Sequence, residues 1–142
     1  MMKKIFIALI FLLITASIAF ADVVDDRLPP ETPDPLKAST RQMVQQGLKT
    51  DDVIKITRSM LENKFTIDNT LKAQQIIMNA HNKGLPLAPL ENKAFEGMTK
   101  NVKAVRIVRA MEIVLNRYAF AYDQAAVFSK DKLQIQRLAN TL

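Results

Sequence analysis

Between Asn101 and Phe128 apolar side chains recur at alternating steps of four and three: Ala104, Val108, Met111, Leu115, Tyr118, Tyr122 and Ala125. Only an α-helix brings such positions onto one face. Val105, Ile107, Ile113, Val114, Phe120, Ala121 and Phe128 spread the apolar surface around most of the circumference. The polar remainder is a narrow line of Lys103, Arg106, Arg109, Glu112, Asn116 and Asp123. A helix this apolar is expected to be buried against several partners, so the segment reads as the core helix of the fold. Glu112, Arg117 and Asp123 interrupt it, leaving no run of about 18 uncharged residues to span a membrane.

The pattern predicts further helices on either side. Leu36 to Gln46 carries Leu36, Ala38, Met43 and Val44 on a weak apolar face and stops at Gly47. Thr50 reads as the N-cap of a second helix, with Asp51 and Asp52 in its first turn and Val53, Ile54, Ile56, Thr57, Met60 and Leu61 turned inward. Thr66 reads as the next N-cap, opening a helix from Ile67 to Lys83 that Gly84 ends. Leu85 to Leu90 is a rigid connector in which Pro89 suits the first turn of a short helix, with Leu90, Ala94, Phe95 and Met98 inward. A last segment, Lys130 to Leu142, has Leu133, Ile135 and Leu138 to pack with. No stretch alternates apolar and polar residues with β-branched enrichment, so no strand is predicted. The expected fold is all-α: a small orthogonal or irregular bundle of five to six helices around the long helix at about 101–128.

The amino terminus reads as an address. Lys3 and Lys4, the apolar run Ile5 to Ile14 and the small residues of Ala19-Phe20-Ala21 form, in order, the three parts of a secretory signal peptide at 1–21. Cleavage between Ala21 and Asp22 gives a periplasmic or secreted chain; retention as an N-terminal anchor is the alternative. Residues 22–35 form an acidic, Pro-rich leader. Asp22, Asp25, Asp26, Glu31 and Asp34 oppose Arg27 alone, and Pro29, Pro30, Pro33 and Pro35 predict an extended, solvated segment. That leader could instead fold back on the body, because residues 36–142, read as a single helical domain, carry the chain's basic excess. The whole sequence has a net charge of +6. It has no Cys, so disulfide staples, thiolate metal sites and cysteine nucleophiles are excluded and packing must hold the fold.

An internal echo accompanies these helices. After Gly47 the chain reads Val53-Ile54-Lys55-Ile56-Thr57-Arg58-Ser59-Met60; after Gly97 and Met98 it reads Val105-Arg106-Ile107-Val108-Arg109-Ala110-Met111. Ile56 and Ile107, Arg58 and Arg109, and Met60 and Met111 then coincide, suggesting two loop-and-helix units. Gly84-Leu85-Pro86, Pro89-Leu90, Lys93, Glu96-Gly97 and Lys100 also form a pattern, GLPxxPLxxKxxEGxxK. It resembles that of an uncharacterised family of small exported bacterial all-helical proteins. The resemblance covers about residues 47–109. It implies export and a helical fold, and brings no catalytic residue.

The candidate chemistry is sparse. His81 is the only histidine, and no HExxH or His-x₃–₅-His spacing supplies it with fellow ligands, so no metal or cofactor is expected. Glu91 and Glu96 are the carboxylates to ask about for glycan hydrolysis, but five residues apart on a helix they do not converge. Solvated pairing with Lys93 and Lys100 is the plainer expectation. No serine sits in a strand–turn–helix context, leaving no catalytic residue to name. Lys93, Lys100, Lys103, Arg106 and Arg109 form the densest basic run, a contact surface for anionic lipid or a polyanion. Nucleic acid is not expected, since no aromatics interleave with these cations. Tyr118, Phe120, Tyr122 and Phe128, with the five methionines after residue 22, could line an adaptable apolar pocket, though helical spacing favours plain core. The expected function is a non-enzymatic interaction or scaffold module of the bacterial cell envelope, its partner another envelope protein or itself. Binding to anionic envelope surfaces and cell-wall hydrolysis are the alternatives.

Overall fold

A computed structural model of the chain describes residues 23–141, which are helical wherever they are regular. Residues 23–27 are helical and precede α1 (Asp34–Gln45), α2 (Thr50–Glu62), α3 (Ile67–Asn82), α4 (Ala88–Thr99), α5 (Ala104–Phe128) and α6 (Lys132–Ala139). No strand occurs among the described residues. The expected signal segment, 1–21, lies outside them. Contacts divide the chain into two compact units, Met1–Arg58 and Ser59–Leu142.

In the first unit the acidic segment departs from the extended, solvated form expected of it. Residues 23–27 form a helical turn, and Val24 and Leu28 are buried. These two are spaced i, i+4, so one turn of helix hides both, and burial outweighs the prolines that follow. Pro35 does not oppose helix either: it occupies the first turn of α1, where a missing N–H removes no hydrogen bond. Asp25 approaches Arg41 at 3.6 Å and Arg27 pairs with Asp51 at 2.7 Å, so the segment lies against basic and acidic neighbours alike. Such exposed pairs contribute only about 0–1 kcal/mol each. The inner face of α1 is Leu36, Thr40, Met43 and Val44, whereas Ala38 faces solvent.

The second unit is assembled on α5, which packs against α3, α4 and α6. Val108, Met111, Leu115 and Ala125 of its seam are buried, with Ile107 and Ala121 beside them. The expectation that α5 would be covered nearly all round is corrected. Val105, Ile113, Phe120, Val127 and Phe128 remain exposed. Three partners cover one side of a helix, and the sequence had supplied apolar residues for more. On α6 the packing residues are Ile135 and Ala139, against Ala121, Tyr122 and Ala125; Leu133 and Leu138 point outward.

The joints share one design. Gly47, Lys64, Gly84 and Asn101 all have positive φ, at intervals of 17, 20 and 17 residues. At each, the left-handed residue donates its N–H to the carbonyl three residues back, and the next residue donates to the carbonyl five back: Leu48 to Met43, Phe65 to Met60, Leu85 to Ala80 and Val102 to Gly97. These are Schellman closures, which satisfy the last carbonyls of the helix. Leu48, Phe65 and Leu85 are buried, completing the usual hydrophobic contact. Thr66 then caps α3 by accepting from the Asn69 N–H at 3.2 Å, as its sequence position suggested. The echo that placed a loop at Gly97 is corrected, since Gly97 lies inside α4.

Candidate interaction surface

Among the five basic residues expected to contact anions, the structure divides the work. On α4, Lys93 and Lys100 both reach Glu96: Lys93 Nζ lies 2.7 Å from Oε2 and Lys100 Nζ 2.6 Å from Oε1. The i+3 and i+4 spacings bring one lysine to each oxygen. Hydrogen bonds from Lys100 and then Lys93 hold the Glu96 carboxyl down at about 2, well below its ordinary 4.5. Glu96 is therefore a fixed anion. A general acid for glycan cleavage needs the opposite shift. Two of the five candidate cations thus share one carboxylate, and the triad keeps a net charge of +1.

Lys93, Lys100 and Arg106 do meet, around a shallow groove of about 130 Å³ whose walls include Gly97, Val102, Ile107 and Ala110. Lys103, at the N-cap of α5, and Arg109 do not line it; both are exposed. The groove exists because Gly97 lets α4 and α5 approach closely. The GLPxxPLxxKxxEGxxK pattern accordingly receives a structural role at most of its positions. Gly84 makes the joint, Leu85 and Leu90 are buried, Pro89 starts α4, Lys93, Glu96 and Lys100 form the ion-paired face, and Gly97 admits α5.

The remaining candidates separate as well. His81 is half-buried in the last turn of α3, where its carbonyl accepts the Gly84 N–H. No group of three or more metal-ligating side chains occurs among the described residues. Met43, Met60, Met78, Met98 and Met111 are all buried, so they fill the interior and offer no adaptable surface. The aromatics do not share a pocket. Tyr118 and Tyr122 are half-buried on the α6 side of α5, while Phe120 and Phe128 face away. Tyr118 borders a cleft of about 420 Å³ with Arg117, Ala121, Ala139 and Asn140. Burial, and then the neighbouring Tyr118, raise the Tyr122 phenol above its ordinary value of 10.

What sequence reasoning missed is the outward face of α5. Ile113, Phe120 and Val127 are 57%, 65% and 76% exposed. They stand one heptad apart, so they form a single stripe along about 21 Å of helix, at 1.5 Å per residue. Ile113 and Phe120 belong to the apolar surface that reads as core, and Val127 continues their spacing by one more heptad. Around this stripe stand Arg106, Arg109 and Arg117 with Glu112 and Asp123. No helix among the described residues is long and apolar enough to cross a membrane. The chain matches no family model, no curated protein and no solved structure.

Proposed function

We propose that this chain is an exported, non-enzymatic interaction module of the bacterial cell envelope. In this reading a small irregular helical bundle displays the outer face of α5 to a partner. The carrying observation is the exposed Ile113–Phe120–Val127 stripe, since large apolar side chains aligned in the open mark an interaction surface. Its length suits one amphipathic helix of three to four turns laid alongside. The three arginines against two acids around it favour a partner helix edged with carboxylates, which makes another envelope protein the better occupant than a second, equally basic copy. The signal-like order of basic, apolar and small residues at 1–21 supports the envelope as the compartment.

The test is site-specific photo-crosslinking in the full chain, with the reactive residue replacing Phe120 and, as a control, replacing Lys72 on α3. One dominant heterologous adduct at position 120, lost when Ile113→Ser and Val127→Ser are added, is the expected result. An adduct of the chain with itself would assign the stripe to a second copy. No adduct, or equal labelling at position 72, would remove the proposal.

A second reading, binding to an anionic lipid surface, is favoured by a different place. Phe128 and Leu133 are 80% and 65% exposed at the α5–α6 joint, with Lys130 and Lys132 between them. Apolar tips beside cations suit an interface with anionic headgroups, together with the basic helix face of Lys103, Arg106 and Arg109. Flotation with anionic vesicles that fails at low salt would exclude it.

A further inference from the structure

The cleft between α5 and α6 shares only Arg117 with the surface proposed above, and its chemistry is specific. Its volume, about 420 Å³, is that of a small-molecule site. Arg117 and Tyr118 come from successive positions of α5 and Ala121 from one turn later; Ala139 and Asn140 close the other side at the end of α6. The two alanines are buried and short, so they supply an apolar floor and leave the volume free. The polar groups are a guanidinium, a phenol and a carboxamide. Arg117 makes no ion pair or hydrogen bond among the described residues. A guanidinium stays charged at any physiological pH and presents two parallel donors, the geometry a carboxylate accepts. The phenol and carboxamide can each donate one further hydrogen bond.

We propose that this cleft binds a carboxylate that carries a compact apolar body, with Arg117 as the anion anchor, Tyr118 and Asn140 as orienting donors, and Ala121 and Ala139 under the apolar part. A free organic acid and the terminal carboxylate of a peptide offer the same group, and the size of the cleft admits a ring or short side chain of either.

The test uses the full chain, with the Arg117 Nε–Hε resonance followed by NMR during titration. The probes are benzoate, benzamide, and the tripeptide Ala-Ala-Phe with a free or an amidated terminus. Benzoate or the free-acid tripeptide should shift the resonance while the amides do not, and whichever acid acts identifies the source. Arg117→Gln, at an exposed position and followed instead through the Ala121 and Ala139 methyl resonances, should weaken that binding by about tenfold or more. Ala121→Leu should fill the cleft and abolish it, with thermal melting as the check on folding. Equal responses to benzoate and benzamide with no effect of the free-acid tripeptide, unchanged acid binding by Arg117→Gln, or no shift with either acid would overturn the assignment.

Discussion

A Cβ on Gly97 would lie 2.6 Å from Cγ1 and 2.9 Å from Cδ1 of Ile107. Ile107 is buried and β-branched, so the crowded carbons cannot swing aside. Glycine in a helix interior ordinarily costs about 0.5–1 kcal/mol relative to alanine. Here overpacking, at about 1–3 kcal/mol, should exceed that gain. Gly97→Ala is expected to destabilise the fold. In the Ile107→Ala background the same change should become neutral or stabilising, and urea midpoints of the four chains give the coupling directly.

That pair also shows what the sequence discloses. A glycine within a run can be a joint or a close approach. Gly84 and Gly97 look alike as letters, and only the packed partner separates them. Joints at glycine were legible, as were the helical class, the Thr66 cap and the inward residues of α2. Those at Lys64 and Asn101 were not, because a Schellman closure can force a left-handed conformation on a residue that does not announce it. The burial of Val24 and Leu28 was hidden by nearby prolines. The open side of α5 was hidden for a different reason: counting apolar residues around a circumference does not say how many neighbours arrive to cover them.

The two kinds of left-handed joint should respond oppositely. Lys64 has a φ of 57°, which a side chain adopts at a cost of about 1–2 kcal/mol. Lys64→Gly should therefore raise stability by about 0.5–1 kcal/mol. Gly84→Ala should lower it by about 1 kcal/mol through the backbone alone, since a Cβ there meets nothing within 4 Å. Chemical denaturation of each variant checks both signs.

The inner and outer faces of α5 should separate just as cleanly. Met111 is fully buried, and Met111→Ala should cost about 2–5 kcal/mol. Phe120→Ser, on the open face, should stay within about 0.5 kcal/mol of the parent. Equal losses in melting temperature would mean that the stripe is covered.

Glu96 sets an acid-side expectation. Its folded-state carboxyl titrates near 2, below the ordinary 4.5, so its pairing is fully present above about pH 4.5 and is lost as pH falls toward 2. Carboxyl ¹³C shifts should record the low value. Lys100→Gln should raise it, and salt at about 0.5 M should do the same because the group is exposed.

Tyr122 sets the alkaline one. Its phenol is raised in the folded chain, so the protonated form favours folding. That contribution is complete below about pH 10 and declines as pH rises through the folded-state value. Absorbance titration at the phenolate band should show late ionisation, and Tyr122→Phe should remove this part of the alkaline loss.

The closures at Lys64, Gly84 and Asn101 leave very few residues between α2, α3, α4 and α5, with their terminal carbonyls already bonded. A connection so short and so fully bonded has almost no alternative path to sample. An associating partner would then meet a surface already in its final form and incur little ordering entropy on contact.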